Sequence, residues 1–565
     1  IMPEDKIITQ QDYNNFTQKE YVKVDVTKEN FAEGIYFVRE GIGYVPAPQE
    51  FDASLTYYAH TTVLKNTLSL WKYCLVFYMS VADGVKVPYH IASYDDLKEV
   101  SLNSDSVTKR YVFTKNVTVE TSENWKAIGN YYLAEDVTIE NFKDNTFYIN
   151  NNGNYEIADS YSDAETYYLY GFNGEISGKY SYHNVKTDKI IETFYKLAGL
   201  SFEGTDDVEE NLSSVSGFIS NLGNKGRALN LNVSYGVFRP TLKKEYTFGG
   251  IAANNYGYIE NSITSFDNIT VTTSNKAVVG GVVGENKGTI LNNVETNIGV
   301  KGIVRVVALN KDVNVSVGGL VGVNRGKVYG SFKYAEVNSQ KFVFNDAGFN
   351  STLNIIAELD AAGSNILEKS SIGGAVGTNY GLLKDVSIKG TISAPNFNNV
   401  GGLVGSAEYN KDFNNNTTLD ETTETETPDE NVTEETETDI IKYSIDSSYS
   451  IASVTGYNNV GGAIGVAKGA NITDTLNINY TSAENYATNA NYVRVFVNGK
   501  NNVGGLIGNA SNTNIQYSYV VSYFECMPLN EAEEEEIGYD IVGINVGGFI
   551  GLTQNTTIIK NSASF

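Results

Sequence analysis

After about residue 200 the chain alternates short apolar runs with polar turns, and one pattern of apolar and small positions recurs. The pattern is a glycine pair, two apolar residues and a small residue, followed in the earlier copies by Asn-x-Gly and alternating apolar and polar positions. Alternation with a period of two is typical of β-strands, and Asn-x-Gly is typical of tight turns. The glycine pairs stand at 249–250, 280–281, 318–319, 373–374, 401–402, 461–462, 504–505 and 547–548, with a weaker copy at Ser216-Gly217.

This recurrence predicts an all-β repeat architecture. Helical patterns are nearly absent after residue 200, and each repeat is too short to close a β-sandwich of its own. A parallel β-helix, in which each coil stacks on the next and so pairs its strand edges, satisfies both observations. In it Ile290, Val328 and Leu383, each two residues past a turn glycine, point inward from the following strand.

The motif glycines are predicted to be structural, because a side chain at a tight corner would clash with the neighbouring coil. Successive pairs lie 31, 38, 55, 28, 60, 43 and 43 residues apart, so a long spacing is either one coil with an extruded loop or two coils. A phosphate-binding role is not expected, since no helix follows these glycines. The structural repeat glycines are Gly250, Gly281, Gly319, Gly374, Gly402, Gly462, Gly505 and Gly548.

The strings GGVVGENKGTI from Gly280, GGLVGVNRGKV from Gly318 and GGAVGTNYGLL from Gly373 resemble the GLUG motif of bacterial surface proteins. The upstream string YHIASYDDL from Tyr89 is similar to the segment that often precedes such repeats, so the resemblance covers residues 88–565. It implies a right-handed parallel β-helix in a secreted or surface-attached protein, often an adhesin. Later copies depart from the motif, where the turn asparagine is replaced by Ala407, Ala467, Ala510 and Thr553.

A second, shorter repeat lies near the N-terminus. Residues 26–58 and 137–168 share Val-Thr-x-Glu-Asn-Phe, a central glycine and tyrosine, and a final Thr-Tyr-Tyr. Their aromatic residues predict either a carbohydrate-contacting surface or the core of a small β-module that caps the β-helix. We therefore expect an aromatic N-terminal β module at 1–87, a second copy within a cap region at 88–200, and the repeats at 201–565.

The composition restricts the partners. The net charge of −26 and the pI of about 4.6 argue against binding to nucleic acid or to anionic membranes. The sequence contains no apolar run of about 18 residues, so we expect no membrane insertion. The insertion at 411–440 contains the acidic run 414–439, which lacks the spacing of a calcium-binding loop and is predicted to be a solvated loop. We expect the chain to be a piece of a longer protein, because a repeat begins just before its end.

The residues able to carry chemistry do not form a recognisable site. The histidines lie outside the repeats, the two cysteines have no zinc or disulfide spacing, and the acidic residues within the strands fall at unrelated repeat positions. We therefore predict no catalytic residue, cofactor or metal site. The residues considered are His60, His90, His183, Cys74, Cys526, Asp312, Asp346, Asp360 and Asp385.

The predicted function is that of an extracellular structural or adhesive protein of a bacterial cell surface. A stiff rod displays loops whose weak contacts add by multivalency. The expected partners are host or neighbouring-cell glycans, matrix proteins or copies of the chain itself, contacted through 333–370, 411–445 and 475–500. Two alternatives stay open: a phage tail or appendage protein that binds a receptor, and a β-helix polysaccharide lyase or glycosidase with clustered carboxylates.

Overall fold

The computed structural model is nearly all β, with long sheets of parallel strands, as the sequence predicts. The structure describes residues 17–31, 36–40, 43–64, 84–85, 87–102, 108–120, 124–129, 146–149, 155–157, 167–169, 171–184, 189–205, 215–266, 268–291, 300–330, 334–337, 340–344, 353–360, 367, 369–408, 444–473, 476–478, 497–521, 541–555, 557–560 and 562–564.

Each repeat contributes four strands in a fixed order. The first strand ends at the glycine pair, the second follows the pair, the third follows the next turn, and the fourth leads to the next repeat. The first glycine of every pair is the register partner of the first glycine of the next, from Gly217 to Gly547 without a break. The long spacings therefore contain one repeat with an excursion and not two.

The third strands form one sheet of twelve parallel strands. Its central residues Ile290, Val328 and Leu383 pair with one another and are buried, which confirms that they point inward. The strands are Tyr89–Ile91, Arg110–Phe113, Glu175–Ser177, Arg227–Leu229, Tyr258–Glu260, Thr289–Leu291, Lys327–Tyr329, Leu382–Lys384, Ile445–Asp446, Asn471–Thr473, Asn514–Gln516 and Ile558–Lys560.

The first and second strands flank the glycine bend. Two repeats run through the bend as one continuous strand, Val215–Leu222 and Tyr246–Asn255. The later first strands are Ala277–Gly280, Val315–Gly318, Ser370–Gly373, Val400–Gly401, Asn458–Gly461, Val497–Gly504 and Ile541–Gly547. The later second strands are Val283–Asn286, Val321–Asn324, Val376–Asn379, Val404–Glu408, Ile464–Lys468, Ile507–Ser511 and Ile550–Gln554.

The fourth strands range from 2 residues in Val117–Thr118 to 11 in Asn232–Leu242, and they carry β-branched residues at buried positions. In Ile269–Thr273 the first, third and fifth residues are buried, which is the pattern expected for a strand with one face on the core. The fourth strands are Val117–Thr118, Leu197–Thr205, Asn232–Leu242, Ile263–Phe266, Ile269–Thr273, Val300–Ala308, Leu353–Leu359, Ser387–Ser393, Tyr449–Thr455, Leu476–Ile478, Tyr519–Val521 and Ala563–Ser564.

One continuous core runs through the repeats, and its composition changes along the chain. In the early repeats Phe202, Tyr235, Phe238 and Phe248 pack ring against ring, with centroids 4.2–6.4 Å apart. From about residue 277 the buried positions are mostly Val, Ile, Leu and Ala. Aromatic rings bury more apolar area per residue, so the early repeats fill their interior with fewer side chains.

The two N-terminal copies fold alike. The first forms a sheet in the order Thr17–Val24, Tyr57–Leu64, Tyr36–Glu40, Gly43–Pro46, and the second in the order Tyr167–Leu169, Thr146–Ile149, Tyr155–Ile157. All pairings in both are antiparallel. Phe37 faces Tyr58 in the first copy as Phe147 faces Tyr168 in the second. The duplication seen in the sequence is therefore a structural duplication.

The helix Tyr94–Leu102 follows the first strand of the twelve-stranded sheet. Its first turn is closed by a capping box: the Asp96 backbone NH donates to Ser93 Oγ at 3.2 Å, and the Ser93 NH donates to Asp96 Oδ2 at 2.9 Å. Leu97 and Val100 are buried in the common core. In the described part of the chain, no helix is long and apolar enough to cross a membrane.

The excursions leave the repeats at different corners. Hairpins Lys179–Asn184 with Lys189–Phe194, and Tyr334–Val337 with Gln340–Phe344, lie between third and fourth strands. The acidic insertion instead joins the second strand that ends at Glu408 to Ser444, where the other repeats have a tight turn. Of the predicted contact regions, 411–445 and 475–500 lie largely outside the described residues, and 333–370 lies partly outside them.

Candidate functional site

The glycine pair lets the chain bend where other backbone atoms lie too close for a side chain. A side chain on the first glycine, for example Gly280 or Gly318, would overlap the carbonyl oxygen of the residue three positions later. A side chain on the second glycine, such as Gly319 or Gly374, would overlap the carbonyl oxygen of the second glycine in the next repeat. The first glycines of the pairs therefore exclude a side chain because of a carbonyl in the same repeat. The second glycines exclude one because of a carbonyl in the next repeat.

A third glycine lies just past the pair and brings the second strand against the first strand of its neighbour. A Cβ on Gly322 would lie 2.6 Å from Val278 Cγ1 and 2.8 Å from the Gly284 carbonyl oxygen. The serine before the bend adds a hydrogen bond across the same gap, since Ser316 Oγ donates to the Gly322 carbonyl at 2.9 Å and Ser371 Oγ donates to the Gly377 carbonyl at 2.8 Å. The motif is therefore a packing device for backbone against backbone.

The turn asparagines form a buried ladder in the earlier repeats. Nδ2 of Asn255 donates to Oδ1 of Asn286 at 2.7 Å, Asn286 donates to Asn324 at 2.8 Å, and Asn324 donates to Asn379 at 2.7 Å. Asn379 ends the ladder by donating to the Ser444 carbonyl. Beyond it the same column continues, in register, as buried Ala407, Ala467 and Ala510 and then Thr553.

A second asparagine ladder begins where the first one stops. Asn459 Nδ2 donates to Asn399 Oδ1 at 2.8 Å, Asn502 donates to Asn459 at 2.9 Å, and Asn545 donates to Asn502 at 3.0 Å. All four have φ of 53–55°, the left-handed region that asparagine tolerates better than most residues. This ladder was not predicted, although Asn-Val-Gly-Gly precedes all four of the bends concerned.

The side chains between the turn asparagine and glycine form a column on the same corner, in which Lys287 is exposed and the others are half-buried. Lys287 Nζ lies 4.9 Å from the centre of the Tyr256 ring, and the Arg325 guanidinium carbon lies 4.5 Å from that of Tyr380. Glu285 connects the two pairs, with an oxygen 3.7 Å from Lys287 Nζ and 3.0 Å from Arg325 Nε. Along four successive repeats two cations thus lie side by side, with a tyrosine ring on the outer side of each.

A parallel column occupies the first positions of the third strands. Glu175 accepts hydrogen bonds from Arg110 at 2.9 Å and from Arg227 at 3.3 Å, and Arg227 also lies over the Tyr258 ring at 5.6 Å. We call the two columns together the corner strip: Arg110, Glu175, Arg227, Tyr256, Tyr258, Glu285, Lys287, Arg325, Lys327 and Tyr380. Each carboxylate in the corner strip is shared by two cations, so the strip keeps an excess of positive charge.

Burial and neighbouring carboxylates shift the titration of the strip tyrosines. Burial, followed by the charge of Glu260, raises the pKa of Tyr258 to about 12. Burial and the nearby Glu408 likewise raise the pKa of Tyr380. Both hydroxyls therefore stay protonated at neutral pH, and the hydroxyl of Tyr258 lies within hydrogen-bonding reach of Glu260.

The structure places the other sequence candidates apart from one another in the fold. His60 lies in the first antiparallel sheet, His90 in the first of the twelve parallel strands and His183 in a hairpin, while Cys74 and Cys526 lie outside the described residues. Asp312 and Asp360 are exposed, and Asp346 also lies outside the described residues. In the described part of the chain no group of three His, Cys, Asp or Glu residues could hold a metal ion.

Asp385 has one unusual property. It has a φ of 55° next to Lys384, and the Lys384 Nζ bonds to Asp446 Oδ2 at 2.9 Å. Burial raises the pKa of the Asp385 carboxyl to about 6, and the charge of Asp446 adds to the rise against the opposing effect of Lys384. One lysine thus compensates two neighbouring carboxylates, and the unpaired one is the more easily protonated.

The aromatic residues of the first N-terminal copy form a core. Phe31, Tyr36, Phe51 and Tyr57 contact one another with ring centroids 5.4–6.1 Å apart. The Tyr57 hydroxyl accepts from the Asp52 NH at 2.8 Å and donates to the Asp52 carbonyl at 3.0 Å. Because these rings pack on one another, this copy favours a small β-module core over a carbohydrate-contacting surface.

The chain matches no family model, no curated protein and no solved structure in comparisons with known proteins. The resemblance to the GLUG repeats accordingly stays a prediction from the motif. Function is inferred below from the chain's own residues.

Proposed function

We propose that the protein is a structural or adhesive component of a bacterial cell surface, built as a right-handed parallel β-helix with an aromatic N-terminal β region. The observation that carries the proposal is the unbroken register of nine glycines from Gly217 to Gly547, with every strand class paired to its own kind. Such stacking produces a rod, since each repeat adds one strand spacing to its length.

The rod suits adhesion because it repeats one surface many times. Twelve parallel strands at the usual spacing extend over roughly 50 Å, and the corner strip presents cations and tyrosines along part of that length. Many weak contacts on one stiff body add through effective concentration. Glycans, matrix proteins or other copies of the chain are the proposed partners, and the proposed location is extracellular.

The proposal is tested with the purified chain and a panel of labelled glycans and matrix proteins, by measuring both retention and product masses. Retention of an intact partner supports adhesion, and concentration-dependent association of the chain alone supports a structural layer or filament. Shortened glycan products would instead establish a lyase or glycosidase. Electron microscopy of single particles provides an independent check, since a compact particle in place of a rod would contradict the β-helix.

A second candidate, a phage tail or appendage protein, is favoured by the two N-terminal modules with their common strand order. One module precedes the first strand of the twelve-stranded sheet and the second lies between its second and third strands. Modules near one end of a β-helix suit an attachment region that connects a rod to a larger assembly. Sedimentation analysis distinguishes the two candidates. A stable trimer supports the appendage, and a monomer or an open-ended series of oligomers supports the surface protein.

A further inference from the structure

Charge is unevenly distributed in the region from residue 108 onward. The described residues of this region contain 26 Lys and Arg against 15 Asp and Glu, a net charge of +11. The remaining residues of the same region contain 6 Lys and Arg against 37 Asp and Glu, a net charge of −31. The described strands and turns of this region are therefore basic, although the chain as a whole is acidic.

This distribution changes what the net charge of −26 implies about partners, because a partner on the described strands meets a basic surface. Salt screens charges beyond about 8 Å at physiological ionic strength, so the charges nearest the partner count most. In the corner strip, the five cations Arg110, Arg227, Lys287, Arg325 and Lys327 lie with the carboxylates Glu175 and Glu285 between them. Glu260 and Glu408 lie at its edge, beside Tyr258 and Tyr380, so five cations stand against four carboxylates.

We propose that the corner strip binds an anionic glycan, with its carboxylate or sulfate groups on the shared cations. This rests on the proposed adhesive function and names the partner class. Arg227 and Lys287 keep 51% and 41% of their side chains exposed, so they can reach a ligand without rearrangement. Arg227 and Lys287 each share one carboxylate with another cation. An anionic group of the ligand would therefore supply a second partner for their positive charge.

The geometry favours a glycan over a nucleic acid. Single-stranded nucleic acids bind by stacking their bases on exposed aromatic faces. Here cations lie over the rings of Tyr256, Tyr258 and Tyr380, at 4.9, 5.6 and 4.5 Å from the ring centres. A cation thus already covers one face of each ring. The cations suit the carboxylate groups of a uronic acid polymer, and the tyrosine hydroxyls suit its hydroxyl groups.

The test measures retention of the full chain on immobilised polygalacturonate, with neutral dextran and a single-stranded oligodeoxynucleotide as further surfaces. The variant Lys287→Gln/Arg325→Gln removes two positive charges from the corner strip. The control Lys243→Gln/Lys244→Gln removes two from a turn between a fourth and a first strand. We expect roughly tenfold weaker binding for the first variant, little change for the second, and recovery with Lys287→Arg/Arg325→Lys.

The outcomes separate this inference from the proposed function. If Lys287→Gln/Arg325→Gln binds polygalacturonate as well as the wild type does, the corner strip is not the binding site. If the wild type does not bind polygalacturonate, the proposal is also wrong. In both cases retention of a neutral glycan or a matrix protein leaves the adhesive function standing. Equal retention on the oligodeoxynucleotide overturns the choice of partner class. Circular dichroism of each variant shows whether weaker binding comes from an altered fold.

Discussion

The repeats before residue 390 and those after it share one glycine bend but stabilise their corners differently. In the earlier repeats a buried asparagine ladder, Asn255 to Asn379, lies where the second strand enters its turn. In the later repeats that column is alanine, and a ladder from Asn399 to Asn545 lies where the chain enters the first strand. The glycine bend, which all repeats share, packs backbone on backbone. The asparagine ladders, which differ between the two regions, satisfy polar groups at a corner.

The difference shows that the glycine bend is compatible with an amide column at either of two corners. The change occurs at the repeat where the acidic insertion interrupts the tight turn after Glu408. An asparagine at Ala407 would lack the Asn-x-Gly turn that its side chain supports in the earlier repeats. Alanine avoids an unsatisfied buried amide at that position, which costs about 1–3 kcal/mol.

The largest effect is expected from breaking the shared bend. Gly374→Val in the earlier repeats and Gly505→Val in the later ones place side chains against the carbonyls of Gly402 and Gly548. Both should lose more than about 4 kcal/mol of unfolding free energy, because the obstructing atoms are backbone. Denaturant titration measures the loss. Gly236→Ala is the matched control, because its nearest neighbours lie 3.5 Å from the added carbon.

The next effect separates the two regions. Asn324→Ala removes both ladder bonds of a buried amide and leaves Asn286 and Asn379 without their partners in the column. We expect a loss of about 2–4 kcal/mol in unfolding free energy. Replacing all four asparagines from Asn255 to Asn379 by alanine should cost much less than four such losses, since the later repeats carry alanine there. A fully additive result would contradict this account of the column.

A smaller effect should change sign between the ladders. At Asn459, with φ of 54°, glycine should be better tolerated than alanine by about 1 kcal/mol, because a Cβ is strained in the left-handed region. At Asn324, which lies in an ordinary strand conformation, alanine should be better tolerated than glycine by about 0.5–1 kcal/mol. Paired denaturation curves for the four variants measure the order. The same order at both positions would show that backbone conformation does not distinguish the ladders.

The smallest effect concerns pH. Burial raises the pKa of Asp385 above its ordinary value to about 6, so the folded state binds this proton more strongly than the unfolded state does. Stability should therefore fall as pH rises from about 4 through 6. Asp385→Asn should raise the free energy of unfolding at pH 7 by on the order of 1 kcal/mol after allowance for solvent screening, and it should lose this advantage near pH 4. Thermal melting at the two pH values measures the difference. Asp360→Asn, which removes an exposed carboxylate, is the control.

The repeat pattern alone was enough to predict much of the fold. The glycine bends, the tight turns and the inward positions Ile290, Val328 and Leu383 were all visible as local periodicity, and the structure confirms the mostly β fold and the burial of these residues. The N-terminal duplication was also visible, and its two copies share strand order and register. Each of these features depends on neighbours in sequence or on a fixed strand period, which is why one chain reveals them.

Other features depend on which residues the register brings together. The long spacings of 55 and 60 residues hold one repeat each, because Gly318 pairs with Gly373 and Gly401 with Gly461 across the excursions. The ion pairs of Glu175 with Arg110 and Arg227, and of Glu285 with Arg325, join residues 40 to 65 positions apart. Composition averages charge over the whole chain and so does not reveal that the described strands and turns from residue 108 onward are basic. The sequence by itself determined the repeating unit, and only the tertiary structure decided which side chains meet, because stacking sets those distances independently of chain separation.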